Sequence, residues 1–199
     1  MDDLYQTIAK PVSGTLFKDK GSKFFGYAFP VVDEEMISTY LEQVKKEHHK
    51  ARHWCYAWRL GFSGEQYRIN DDGEPSGTAG LPIYGQIQSF ELTNVLVIVV
   101  RYFGGTKLGV SGLINAYKTT TKACLQEAEI IQKTVDTSFQ LIFEYADMDK
   151  VLKVIRQFDA QIISRDMALN CDFKITIRQS QAAALKTAIE ELRCVKFKI

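Results

Sequence analysis

The chain has 199 residues, 46% of them apolar and 25% charged, with a formal net charge of +1. That composition suits an ordinary globular protein of one large or two small domains. The near-zero balance supplies no global field for nucleic acid or membrane, so any anion site has to be local.

No apolar run approaches the ~18 residues of a membrane span. The opening MDDLYQTIAK is acidic and polar, unlike a secretory signal. Cysteines at 55, 124, 171 and 194, without CxxC spacing, point to reduced thiols in a cytoplasm.

In chain order, Thr15 to Phe29 suggests a strand pair turning near Asp19, Lys20 and Gly21. Asp33 can N-cap a helix whose Met36, Ile37, Tyr40, Leu41 and Val44 form an apolar stripe. HWCYAWRL and EQYRI look like strands joined at Ser63 and Gly64, and a helix covers part of 79–90. VLVIVV at 95–100 is a short strand buried on both faces, and a long helix follows to about Glu129. From Val135 the apolar period alternates between strand and helix to give βαββαβ, the order of a ferredoxin-like sandwich. RNA-recognition domains share that order, but their aromatic signature is missing here.

All thirteen glycines and all four prolines fall at or before Gly112, leaving the last 87 residues without either. This change of grammar divides the chain into two α+β domains, 1–132 and 133–199, joined near residues 130 to 134 without a flexible linker.

Several stretches could carry chemistry. Asp71 and Asp72 in NDDGEPSGTAG could ligate Mg²⁺, yet Asn70-Asp71-Asp72-Gly73 is strong turn chemistry and the commoner reading is an acidic turn. His53 and Cys55 lie on one strand face and could make a thiolate nucleophile, though a core cysteine beside a hydrogen-bonded histidine is more usual. Trp54, Tyr56 and Trp58, on the opposite face, are expected to pack against a helix. His48 and His49, ending a charged helix, are expected in solvent.

The strongest candidate is RYFGGTKLGVSG at 101–112. Neither the Walker A spacing nor G-x-G-x-x-G is present. From Arg101 to Lys122 inclusive there are four cations and no acid. On the helix, Val110, Leu113, Ile114, Tyr117, Cys124, Leu125 and Ala128 are expected to be buried. Ser111, Asn115, Lys118 and Lys122 form one polar stripe. With Arg101, Gly104, Gly105, Lys107 and Gly109 they make a cationic strip at a dipole-positive helix start. The alternative is that the glycines only permit tight turns and close packing.

RHWCYAWRL, DDGEPSGTAGLPI and NVLVIVVRYFGGTKLGVSGLINAY, in that order and separation, resemble the YigZ/IMPACT family across residues 15–130. The residues carrying the likeness are His53, then Asp71, Asp72, Gly73, Glu74, Pro75, Gly77, Thr78, Ala79 and Gly80, then Tyr102, Phe103 and Leu108. The resemblance implies a βαβ-containing first domain like domain IV of elongation factor G, within the ribosomal-protein domain 2-like superfamily. It implies a ferredoxin-like second domain of the YigZ type. The eukaryotic relatives look like translation regulators acting through the amino-acid-starvation kinase pathway. Their additional partner-binding domain has no counterpart in these 199 residues, and no catalytic residues come with the family.

Together these observations lead to an expected cytoplasmic, non-catalytic protein that binds RNA or a ribosome-associated surface and regulates translation. No cofactor, metal or membrane partner is called for, and the oligomeric state is left open. A phosphate-metabolite enzyme using the glycine loop and Mg²⁺ is the alternative, weakened because KLGVSG does not match the phosphate loop of metabolite kinases.

Overall fold

Six consecutive apolar residues in a strand send side chains to both faces of a sheet, so both faces have to be covered. The computed structural model, which describes residues 3–198, shows how this is met. In chain order the elements of the first part are β1 (Leu4–Ile8), β2 (Val12–Asp19), β3 (Ser22–Pro30), α1 (Glu34–Glu47), β4 (His53–Leu60), β5 (Gln66–Asn70), α2 (Gly80–Ser89), β6 (Val95–Tyr102), α3 (Gly109–Gln126) and β7 (Ile130–Thr134). Strands β2-β3-β6-β4-β5 form one sheet, in that order, with β6 in the middle. Both β3 and β4 run antiparallel to β6 and therefore parallel to each other, so β3–α1–β4 is a βαβ unit split by β6.

Alternate residues of β6 build two separate cores. Val95, Val97 and Val99 meet Ile83 and Ile87 of α2 and Leu113, Ala116, Tyr117, Cys124 and Leu125 of α3. Leu96, Ile98 and Val100 meet Ile37 and Val44 of α1, together with Tyr27, Phe29 and Trp58. Trp54 and Tyr56 pack partly buried on this same face, as expected of aromatics beside a helix. Asp33 caps α1, its Oδ1 accepting the Met36 N–H at 2.8 Å.

Three features depart from the sequence expectations. Residues 130–134 are a strand, β7, paired with β1, and neither strand shows enough alternation to be read beforehand. His48 is buried, unlike exposed His49, with its ring nitrogens against the Tyr27 and Tyr102 hydroxyls. Burial lowers its pKa, favouring a neutral imidazole within the tyrosine pair. On α3, Val110 and Ile114 are 59% and 38% exposed, and Ala116, Thr120 and Thr121 are buried instead. Thr120 tolerates burial by donating its hydroxyl to the Ala116 carbonyl at 2.7 Å.

By contacts the chain divides into two compact units, Tyr5–Lys133 and the chain from Thr134 onward, the latter taking in Asp3 and Leu4. Asp3 accepts the Val135 N–H at 2.7 Å and the Ser180 hydroxyl at 2.6 Å. The second unit contains β8 (Asp136–Phe143), a 3₁₀ turn at Tyr145–Asp147, α4 (Met148–Gln157), β9 (Gln161–Met167), β10 (Cys171–Arg178), α5 (Gln179–Glu191) and β11 (Lys196–Lys198). Its sheet, ordered β11-β8-β10-β9, is antiparallel throughout. One core joins Phe139, Leu141, Phe143, Phe173 and Ile175 to Val151 and Ile155 of α4 and Leu185 and Ile189 of α5.

Ile98 is fully buried beside Trp58, and both tryptophans lie in the first unit. Ile98→Ala is expected to cost ~2–5 kcal/mol through lost transfer energy and an unfilled cavity. Urea unfolding followed by tryptophan fluorescence checks this; a loss well under ~1 kcal/mol would contradict the two-faced core.

Candidate functional site

Strand alternation carries Arg101 onto the face already occupied by Val95, Val97 and Val99, so a guanidinium enters a core. It is 6% exposed and stands opposite Phe24 on β3 and His53 on β4. A buried cation needs a partner, and Glu74 supplies it from the loop between β5 and α2. The Arg101 Nη1 donates to Glu74 Oε1 at 2.7 Å, with both side chains almost fully enclosed. The Tyr117 hydroxyl on α3 donates to the same oxygen at 2.8 Å. Cys55 Sγ on β4 lies 3.2 Å from that hydroxyl and 3.0 Å from the Asp71 carbonyl. The guanidinium carbon sits 5.6 Å from the ring centres of both Phe24 and Phe103. Four separated segments thus meet in one buried polar network.

Burial dominates the acid–base behaviour here. It raises the pKa of the Cys55 thiol far above its ordinary value, and does the same to the Tyr117 phenol. Cys124 is pushed up to about 12 by the same cause. Neither thiol is a nucleophile at neutral pH, because the thiolate is the reactive species. The structural reading of His53 and Cys55 is the one that fits. His53 directs Nδ1 at the Asp72 carbonyl, 2.9 Å away, so Nδ1 carries the proton.

The acidic loop is structural as well. Asp71 Oδ1 accepts the N–H groups of Ala79 and Gly80 at 2.9 and 2.8 Å, and its Oδ2 accepts that of Gly77 at 2.8 Å. One aspartate therefore caps the start of α2 from eight residues upstream. Asp72 Oδ2 accepts the Trp54 N–H at 2.7 Å. Gly80 has no room for a side chain, since a Cβ would lie 2.7 Å from Asn70 N. With Asp71 and Asp72 committed to amides and Glu74 to Arg101, the loop behaves as the acidic turn, and its carboxylates are poorly disposed for Mg²⁺.

The expected cationic strip is altered in one member. Lys107, Ser111, Asn115, Lys118 and Lys122 are all exposed along the loop and α3. Arg101 does not join them, because its charge is neutralised inside by Glu74. Gly104 serves close packing: a Cβ there would lie 1.9 Å from the Gly21 carbonyl carbon, and its N–H donates to Ser22 Oγ at 3.2 Å. Gly105 and Gly109 have positive φ with open space around them, so they serve backbone conformation. The sequence contained a signal for Arg101: a charge continuing the odd positions of a doubly buried strand must point inward. By spacing Tyr117 belongs to the buried stripe of α3, and nothing in the sequence marks it as a partner of Glu74.

Residues 20–125 match the Impact N-terminal domain, a span that holds every member of the buried network. The chain belongs to the IMPACT family. IMPACT family member YigZ of Escherichia coli K12 is 34% identical over 149 residues, covering 74% of this chain and 73% of that protein. An IMPACT family member of Haemophilus influenzae is 30% identical over 185 residues, covering 91% of this chain and 90% of its own. A crystal structure of a hypothetical protein superposes with a TM-score of 0.75 at 28% identity, covering 99% and 97% of the two chains. The blocks quoted from this IMPACT-family sequence, from RHWCYAW to RYFGG and NAY, are the ones that converge on Glu74.

Removing one partner of a buried ion pair leaves the other charge uncompensated. Arg101→Ala and Glu74→Ala are each expected to cost ~3–5 kcal/mol in urea unfolding. The double variant should lose at least ~1 kcal/mol less than the sum; additive losses would show that the pair is not coupled. The thiols give a second check: with iodoacetamide at neutral pH, Cys55 and Cys124 should react only as the protein unfolds. Peptide mass spectrometry showing Cys55 alkylated as fast as free cysteine in the native protein would overturn the buried assignment.

Proposed function

We propose that this IMPACT-family protein is a non-catalytic cytoplasmic regulator of translation that binds RNA or a ribosome-associated surface through the cationic strip of α3. The observation carrying this reading is the exposed run of Lys107, Lys118 and Lys122, interleaved with exposed Ser111 and Asn115. No acidic residue occurs between Glu91 and Glu127 to offset it. The start of α3 adds to the attraction. Its Leu108 N-cap provides no side-chain acceptor and its first turn holds no acid, so the leading amides and the positive dipole end favour an anion. Such contacts position a phosphate backbone without reading bases, so sequence preference should be weak.

The domain readings are consistent with this role. We take 1–132 as the IMPACT-type domain, likened to domain IV of elongation factor G within the ribosomal-protein domain 2-like superfamily. We take 133–199 as a ferredoxin-like domain, which the strand order β11-β8-β10-β9 supports. Fold alone assigns no activity, so the weight rests on the strip. Among the described residues no helix is long and apolar enough to cross a membrane.

The test is salt dependence. Binding to a single-stranded RNA of mixed sequence should weaken as salt rises, with a log–log slope near −0.7 for each phosphate contact. Changing Lys107, Lys118 and Lys122 together to Ala should flatten that slope by about 2 and lower ribosome co-sedimentation, with the circular dichroism spectrum unchanged. A triple variant that binds with the parent's affinity and slope would reduce the strip to a solvated helix face.

A further inference from the structure

The network described above leaves one part of Arg101 without a partner. Among the described residues only Nη1 of its guanidinium meets a protein acceptor, and Nε, although buried, meets none. An arginine enclosed this deeply normally has its donors paired. Its unfilled Nε edge belongs to the fork that matches the oxygens of a phosphate. Arg101 also lines a cleft of about 410 Å³, shared with Lys50, Ala51, Arg52, His53, Tyr102 and Phe103.

The rim of this cleft is built, not incidental. Ala51 is 8% exposed, and its N–H is bound to the His48 carbonyl at 2.8 Å, which fixes the turn between α1 and β4. Lys50 and Arg52 on either side are exposed, and neither forms an ion pair among the described residues. Two acids of the neighbouring loop are already engaged. Glu74 holds Arg101, and Asp72 accepts the Trp54 N–H. Two cations are therefore left without an ion-pair partner among the described residues, beside the incompletely paired guanidinium. That charge suits a terminal phosphate, which carries close to two negative charges at neutral pH, better than a diester with one. Phe103, 56% exposed at the rim, offers an aromatic surface for a base.

We propose that this cleft binds the terminal phosphate of a nucleotide, held by Lys50 and Arg52 over the incompletely paired guanidinium of Arg101, with the base against Phe103. The phosphate could belong to a free mononucleotide or to the 5′ end of an RNA; both present the same group. The site uses none of the lysines of the α3 strip and stands independently of that reading.

Calorimetric titration of the full chain tests it with AMP, adenosine, and one RNA hexamer carrying either a 5′-phosphate or a 5′-hydroxyl. AMP should bind at least about tenfold more tightly than adenosine, and the phosphorylated hexamer more tightly than its hydroxyl form by a similar factor. Equal affinity for AMP and the phosphorylated hexamer identifies the free nucleotide as sufficient; preference for the hexamer identifies an RNA end. Lys50→Ala/Arg52→Ala, both at exposed positions, should abolish the phosphate preference, whereas the triple lysine variant of α3 should keep it. Arg101→Lys preserves a charge for Glu74 but removes the fork, and should weaken AMP binding. If that variant does not fold, the double variant decides alone. The proposal is overturned if a 5′-phosphate gains less than about twofold in both ligand pairs, or if the double variant binds like the parent.

Discussion

The arrangement of the first unit depends on one buried charge pair. Arg101 arrives on the central strand and Glu74 on a loop, 27 positions apart. Either charge alone in that interior would be strongly unfavourable, so the segments carrying them have to come together. Tyr117 extends the constraint to α3, and Cys55 extends it to β4. A buried ion pair adds little net stability over an apolar substitute. Its contribution is better understood as register: helix, loop and two strands close in the arrangement that pairs the two charges.

Around this pair the loops are fixed by backbone hydrogen bonds. Asp71 gathers three amides of its own loop and thereby starts α2, and the same loop then delivers Glu74 inward. Acidic residues that resemble metal ligands in a linear sequence are therefore scaffolding. The recognition proposed above draws on cations outside this pair, the exposed Lys107, Lys118 and Lys122 and the rim residues Lys50 and Arg52, none of which forms an ion pair among the described residues. Inward and outward cations of one short region thus sit in different surroundings, Arg101 neutralised in the core and Lys107 in solvent.

Much of this architecture could be read from periodicity. The doubly buried strand, the Asp33 cap and the alternating pattern from Val135 follow from the strand and helix repeats alone. What resisted reading depended on distant partners. Val110 and Ile114 match the helical stripe, but α3 turns its Leu113–Tyr117–Cys124 line toward the sheet and leaves them in solvent. His48 sits in a charged run, and only the two tyrosines from β3 and β6 make its burial tolerable. β1 and β7 are short strands that pair across more than a hundred residues, beyond the reach of local pattern. Arg101 was legible as a cation near a glycine loop, yet its neutralisation required knowing which acid would face it.

The contact between Gly21 and Gly104 has a thermodynamic consequence. Two backbones approach there more closely than any side chain allows, and the Gly104 amide is tied to Ser22. The hairpin turn between β2 and β3 consequently acts as a mould for the glycine loop. That contact orders the start of the loop on folding, so a ligand docking beside it as proposed would have less configurational entropy left to remove. Under the proposed function, tightening or loosening the hairpin would alter affinity through the flexibility of the unbound state.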